Sequence, residues 1–348
     1  MKKVIAAMLG AFAFSVYVEA QKPGYHLNLL PQYKPEQNAS GMIRVWGHGA
    51  AGKDFIGALV AKWEAGFKTY QPDVTFENKL MGTASAVGAL YTGAGDLALL
   101  GREIWPDEIQ AFREVLHYEP LGVEITTGSF AVRNKDFALI VYVNKENPLA
   151  KLSIGQVGRI FGCQHTADGE NIRSWGDLGL PGKWSRKPIH VYGFQISRGF
   201  AYYFEQTVFK GSSKWNPALV ELGDQPQQNG KLLDAGKRIL DALADDANGI
   251  AYSSALYAND RVKPIALAWK DDDAYVSPSV ETVQNRTYPL VRVIPMFLNR
   301  KPGEPVHPKI KEFLRYILSE QGQQAVAADG GYLPLTPEVV REQLKKLK

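Results

Sequence analysis

The sequence predicts an α/β protein of two lobes, each a mostly parallel sheet flanked by helices, and three observations point there. Apolar runs of strand length alternate with segments of helical spacing through most of the chain. The chain has 348 residues, more than one core organises, since single cores stop growing at about 250–300 residues. Glycine-bearing loops stand between strands and the helices that follow, as βα units require.

The N-terminus is set aside from the fold. Met1-Lys2-Lys3, the apolar run Val4 to Val18 and Val18-Glu19-Ala20 before Gln21 read as a secretory signal peptide spanning residues 1–20. The run is shorter than the roughly 20 apolar residues that cross a bilayer, and no cysteine at the cut offers a lipid anchor. Residues 21–41, with Pro23, Pro31, Pro35 and Gly41, read as an irregular arm.

Met42 to Trp46 opens the core as a strand. Ile56, Leu59, Val60, Trp63 and Phe67 then fall on one helical face until Pro72. Val74 to Lys79 is a second strand, followed by a helix from Ala84 to Tyr91, a strand from Asp96 to Leu100 and a helix from Pro106 to Val115. Phe137 to Val143 is a strongly β-forming run, and Leu152 to Phe161 is a helix ending near Gly162. After a polar excursion from Gln164 to Lys187 come a strand at Ile189 to Tyr192, a helix beginning near Gly199, an amphipathic segment at Leu232 to Ala244 and a strand at Ile250 to Tyr252. Val291 to Leu298 resumes β character, and helices at Pro308 to Leu318 and Gln321 to Ala328 lead to a basic, solvated end at Lys345, Lys346 and Lys348.

With 40 basic and 36 acidic side chains, the net charge of +4 is too balanced to indicate nucleic acid, yet it suits a small anionic ligand. Cys163 is alone, so no internal disulfide is possible and burial must hold the fold; the thiol is expected among apolar neighbours. His26, His117, His165, His190 and His307 show no metal-ligand spacing, and neither a metal nor a cofactor is expected. Asp271-Asp272-Asp273 reads as a solvated turn, and Phe130, Tyr202 and Tyr203 as core aromatics.

The stretch V-W-G-H-G-A-A-G-K-D-F at residues 45–55 fits two nucleotide motifs. The P-loop version needs a hydroxyl after Lys53, where Asp54 stands, and the dinucleotide version finds only Glu77 as its acidic partner, in a chain marked for export. The glycines make either a tight turn or an anion site in which backbone N–H groups at a helix start face negative charge. Gly82-Thr83-Ala84-Ser85-Ala86 and Ile196-Ser197-Arg198-Gly199-Phe200 stand at the corresponding strand ends of two α/β units. The second offers a guanidinium suited to forked bonds with an oxyanion. Together the three loops suggest a cleft.

From about residue 42 to about residue 335 the sequence resembles the phosphate-binding periplasmic proteins of ABC transporters. The matching stretches are Gly82 to Ala86 followed by Thr92 to Ala98, Gly101-Arg102-Glu103-Ile104, Val143 to Leu149, Ile160-Phe161-Gly162, Ser174 to Gly179, Asn248 to Tyr252, Tyr288-Pro289-Leu290 and Asp329 to Pro334. The resemblance implies a type II periplasmic binding protein fold with two inter-lobe crossovers, near Phe137 and near Pro289. Lobe 1 then joins residues 42–136 with 290–348, and lobe 2 takes residues 137–289. It also implies a monomeric, non-enzymatic periplasmic receptor, not lipid-anchored, that captures phosphate or a related oxyanion and presents it to an inner-membrane permease. The ligand-binding residues carried over are His48, Gly49 and Ala50 in the first loop, Thr83, Ala84 and Ser85 in the second, Ser197, Arg198 and Gly199 in the third, and Arg102.

Three departures bear on the ligand. The first loop lacks the usual Ser or Thr, the third lacks Thr after Gly199, and Gly101 replaces the serine before Arg102. Where some relatives use a carboxylate to accept the proton of monohydrogen phosphate, Glu103 is a substitute candidate. His48 is a compensating donor that, when protonated, ties affinity to pH. The alternatives are a divergent binding module for another anion, serving sensing or adhesion, and a secreted phosphatase, for which no G-x-S-x-G elbow is found.

Overall fold

The computed structural model describes residues 24–50, 53–163, 169–197, 199–228 and 230–348. The signal peptide expected in residues 1–20 and the site candidate Arg198 lie outside the described residues.

Along the chain run β1 (Gly41–Gly47), α1 (Gly57–Lys68), β2 (Val74–Lys79), α2 (Ala86–Tyr91), β3 (Leu97–Leu99), α3 (Pro106–Leu116) and β4 (Leu121–Thr127). The middle of the chain supplies β5 (Ile140–Asn144), β6 (Lys151–Ser153), α4 (Ile154–Phe161), β7 (His190–Phe194), α5 (Gly199–Val208), β8 (Val220–Leu222), β9 (Gln225–Pro226) and β10 (Leu232–Leu233). Then come α6 (Ala235–Ala244), β11 (Gly249–Ser253), β12 (Val262–Pro264), β13 (Ala266–Ala268) and α7 (Val280–Gln284). The chain returns with β14 (Val293–Leu298), α8 (Pro308–Ile317), α9 (Glu320–Asp329) and α10 (Pro337–Lys345).

Two five-stranded sheets organise the molecule, in the orders β2-β1-β3-β14-β4 and β12-β5-β11-β7-β8. Each is parallel on one side, through β1 with β2 and β3 in the first sheet and β7 with β8 and β11 in the second. Each is antiparallel where the chain arrives from the other sheet: β14 runs against β3 and β4, and β5 against β11 and β12. A strand entering from the opposite lobe runs against strands that grew outward by βα units. β4 and the short β6, β8, β9, β12 and β13 are not anticipated by the sequence reading, although Leu121, Val123 and Ile125 alternate with Gly122, Glu124 and Thr126 as a half-buried strand requires.

Each sheet has its own core. In the first, Trp63 and Phe67 of α1 pack with Ile43, Val45 and Phe313, all fully buried. In the second, Phe204 of α5 stacks on Tyr252 of β11 at a centroid distance of 4.2 Å, beside Phe161 and Trp175. Local chemistry agrees with these elements. Ser153 caps α4 by accepting from the Gln156 N–H, and the Gln156 side chain accepts the Ser153 N–H in return, so the helix starts two residues later than its apolar spacing predicts. Asp234 occupies the N-cap position of α6 without a side-chain capping bond, inside the stretch read as one amphipathic segment.

The basic C-terminus is not merely solvated. Thr336 caps α10, Val340 and Leu347 are buried, and the Lys346 ammonium donates to the Gly122 carbonyl, so this end docks on lobe 1 while Lys345 and Lys348 stay exposed. Leu30, Tyr33 and Ala39 bring the irregular arm into the same core. Cys163 is half-buried at the end of α4. Among the described residues no helix is long and apolar enough to cross a membrane.

The chain passes between the sheets in segments held side by side. The Gly128 N–H donates to the Arg292 carbonyl at 2.8 Å, and the Leu139 N–H to the Leu290 carbonyl at 3.0 Å. Trp63 tests lobe 1 as a packed unit, since its side chain is fully buried and its indole N–H donates to the Gly322 carbonyl at 2.8 Å. Trp63→Ala is expected to cost about 3–5 kcal/mol in denaturant unfolding; a loss below about 1 kcal/mol would mean that α1 and α9 are not joined through this side chain.

Candidate functional site

Between the sheets lies a cavity of about 440 Å³. His48, in the loop after β1, Thr83, before α2, and Gly199, at the start of α5, all line it. Arg102, Phe194, Phe200, Leu222 and Tyr257 line it as well, with Lys53 and Lys135 and the carboxylates Asp136, Asp224 and Asp234.

Close backbone packing sets the first loop. Gly47 has φ +133°, and a Cβ there would fall 2.0 Å from the Leu99 carbonyl oxygen, so only glycine lets β1 end against β3. This contact accounts for the first glycine of the nucleotide-like pattern by packing. The chain then turns His48 inward, where it is buried. Its Nε2 lies 3.0 Å from Asp136 Oδ2 and 3.3 Å from the Tyr332 hydroxyl, and its Nδ1 lies 3.5 Å from Thr83 Oγ1. The Gly101 N–H donates to the same Thr83 oxygen at 3.2 Å. A Cβ on residue 101 would stand 2.1 Å from His48 Nδ1, so the imidazole occupies space that a serine at that position would fill.

Behind His48 is a buried ionic cluster. Arg292, whose side chain is 2% exposed, donates through Nη2 to Glu103 at 2.9 Å, and its Nη1 lies 3.7 Å from Asp136 Oδ1. Phe200 and Tyr203 of α5 present ring faces to the guanidinium, each 5.2 Å away. Burial opposes the charge on Arg292, but Glu103 and Asp136 outweigh it and hold its pKa above the ordinary value. Burial likewise pushes the Asp136 carboxyl up, yet the hydrogen bond and charge of His48, with Arg292 and Tyr332, hold it below the usual carboxylate range. The other acids of the wall also have donors: Asp234 receives the Tyr257 hydroxyl at 2.9 Å and pairs with Arg133, and Asp224 accepts the Ala235 N–H.

The remaining residues expected from sequence are placed differently. Arg102 borders the cavity, but its guanidinium makes a forked pair with Glu108 and lies 3.7 Å over the Trp105 ring, so its donors are largely committed. Gly49 packs against Leu80. Ala50, Ala84, Ser85 and Ser197 are exposed and stand outside the cavity lining. Glu103, the substitute proton acceptor, is bound to Arg292. Sequence reading missed Asp136, Arg292 and Tyr332. Arg292 follows Tyr288-Pro289-Leu290 and Tyr332 falls within the Asp329 to Pro334 stretch, so the signal was present without a geometry attached to it.

Asp136 gives a pH-dependent test. Its folded pKa is depressed, so its contribution to stability is present above the unfolded value, about 3.9, and is lost as pH falls through the folded value. Asp136→Asn is expected to lower stability near neutrality by about 1–3 kcal/mol and to flatten the decline below about pH 4. Acid denaturation curves of equal steepness in both proteins would remove Asp136 as a charge anchor.

A profile of the PBP superfamily domain matches residues 48–321. The phosphate-binding protein PstS of Pseudomonas aeruginosa is 30% identical over 320 residues, covering 91% of this chain and 90% of that protein. The PstS of Staphylococcus saprophyticus is 22% identical over 300 residues, covering 85% of this chain and 82% of its own. Among solved structures, PstS from Borrelia burgdorferi superposes with a TM-score of 0.57 at 12% identity, covering 85% of this chain and 100% of that one. An ABC-type phosphate transport receptor from Vibrio cholerae does so at 0.52 and 16%, covering 84% and 99%. These two likenesses carry the two-lobed fold, while the sequence match over nine-tenths of the length carries the kinship: the chain belongs to the PstS family of phosphate-binding proteins within the PBP superfamily.

Proposed function

We infer that this chain captures inorganic phosphate or a similar oxyanion between its lobes and delivers it to the permease of an ABC transporter. The observation that carries this reading is that His48, Thr83 and Gly199, from loops of both lobes, border one cavity. Hydrogen-bond donors from two rigid halves can desolvate an anion on closing, and each charge-assisted bond contributes about 1.5–3 kcal/mol. Hinge closure requires few contacts to break, and the paired crossing segments suit it. Capture and release need no covalent step, so the protein acts as a receptor and not as an enzyme. Delivery to a permease places it in the periplasm. One chain supplies both lobes, so a monomer suffices.

The direct ligands in this reading are Thr83, the backbone around Gly199, and the sequence candidates Ser197 and Arg198, with His48 behind Thr83. Ser197 would turn inward from its exposed position when the lobes close. A second reading, a phosphorylated organic anion, is favoured by the size of the cavity and by its apolar wall of Phe194, Phe200 and Leu222.

Titration calorimetry with phosphate, sulfate and a simple phosphomonoester separates these readings. Phosphate is expected to bind, sulfate more weakly, and Thr83→Val and Arg198→Ala to lose about 1.5–3 kcal/mol each. Tighter binding of the ester would select the second reading. Absence of heat with all three anions would overturn the function, and unchanged affinity in both variants would overturn the assigned ligands.

A further inference from the structure

His48 stands where the first and second loops meet, and each of its ring nitrogens has a different neighbour. Asp136 Oδ2, 3.0 Å from Nε2, belongs to an ionised carboxylate that only accepts, so the proton of a neutral imidazole sits on Nε2. Nδ1 then carries a lone pair, and the Thr83 hydroxyl at 3.5 Å is the donor within reach. The Thr83 oxygen already accepts from the Gly101 N–H. With a neutral histidine its single proton is therefore directed at His48 and away from the cavity that Thr83 lines.

Protonating Nδ1 reverses this. The imidazolium donates to Thr83, the Thr83 oxygen accepts from both His48 and Gly101, and its own proton is released toward the cavity. We propose that His48 takes up a proton as an oxyanion binds, and that this proton turns the Thr83 hydroxyl into a donor to the anion. The inference rests on the oxyanion-binding reading above and deepens it.

The surroundings of His48 support this direction. Facing it are Asp136 and the Tyr332 hydroxyl at Nε2, Thr83 at Nδ1, the Phe55 ring 5.0 Å away, and the Gly101 backbone. Arg292, on the far side of Asp136, opposes a second positive charge, but it is itself neutralised by Glu103. Lys135 donates to the Phe55 carbonyl, Lys53 lines the cavity, and Arg102 is paired with Glu108. An anion held by Thr83 adds negative charge on the Nδ1 side, complementing Asp136 on the Nε2 side. Anion binding therefore favours the imidazolium, and affinity falls as pH rises through the histidine range.

Two measurements on the mature protein decide the matter. The imidazole carbon resonances of His48 are followed by NMR from about pH 5.5 to pH 8.5 with and without phosphate, with an expected upward displacement of the midpoint by about one unit. Phosphate binding is also measured calorimetrically in buffers of different ionisation heat, for the unmodified protein and His48→Gln. Phosphate's own ionisation contributes equally to both, so the histidine is expected to add roughly half a proton of uptake near neutrality, lost in the variant. If the variant fails to fold, the resonance titration decides alone. Phosphate binding with an unmoved His48 midpoint, or with equal uptake in both proteins, overturns the inference while leaving the receptor reading in place. No phosphate heat at any pH overturns both.

Discussion

The buried charge of Arg292 is the constraint on which the rest of the structure depends. A guanidinium with 2% of its side chain exposed forfeits most of its hydration, and desolvation of an ion costs several kcal/mol even after relaxation. Glu103 and Asp136 must both be in place to offset that cost, and they come from different parts of the chain: Glu103 from the loop between β3 and α3, Asp136 from the outgoing crossover. Arg292 itself sits on the return crossover, beneath rings supplied by α5 of the second lobe. These ionic contacts thereby tie the outgoing crossover, the return crossover and the loop after β3 together at the point where the chain passes between the sheets.

The ionic cluster also explains why the candidate site lies where it does. Asp136 has two carboxylate oxygens, and they face different partners, Oδ1 toward Arg292 and Oδ2 toward His48 and Tyr332. The residue that helps neutralise the hinge arginine thus also orients the histidine at the back of the cavity. His48 in turn reaches Thr83, so the chain of contacts runs from the hinge to the second loop through side chains that are largely buried. Thr83 is thereby linked, through His48 and the Gly101 N–H, to the pairing that holds the crossovers together.

Much of the architecture was legible because apolar spacing is a local signal. Leu59, Val60, Trp63 and Phe67 lie on one face of α1 and all are buried, as their period requires. What was not legible depends on contacts between distant residues. β4 carries its own alternation at Leu121, Val123 and Ile125, but its partner β14 arrives only after an excursion through the second sheet, and nothing near Leu121 announces that pairing. Arg102 resembles a ligand by its place in a motif, yet Glu108, in the first turn of α3, holds it in a forked pair. Asp136 is ordinary in its own segment and Arg292 reads only as part of a return strand; the folded crossovers bring them together. The sequence pointed to three loops sharing a cleft, and His48, Thr83 and Gly199 do line one cavity. Ser197 and Ala84 face solvent, because side-chain direction is set by the turn of each loop and not by the presence of a motif.

The exchange at positions 48 and 101 follows from volume as much as from charge. With the imidazole where it lies, a side chain on residue 101 does not fit, since a Cβ there would overlap the ring, and overpacking a buried site costs roughly 1–3 kcal/mol. Glycine at 101 is therefore the steric condition for the observed position of His48, and the two positions are coupled across two loops. Its chemical consequence is a change in the kind of group that meets Thr83. A serine or carboxylate on residue 101 would present oxygen directly, whereas His48 presents a nitrogen that either accepts or donates according to its charge, with Asp136 behind it to stabilise the donor form. The glycine that looked like the loss of a ligand is what allows a titratable ring to be packed against the hydroxyl.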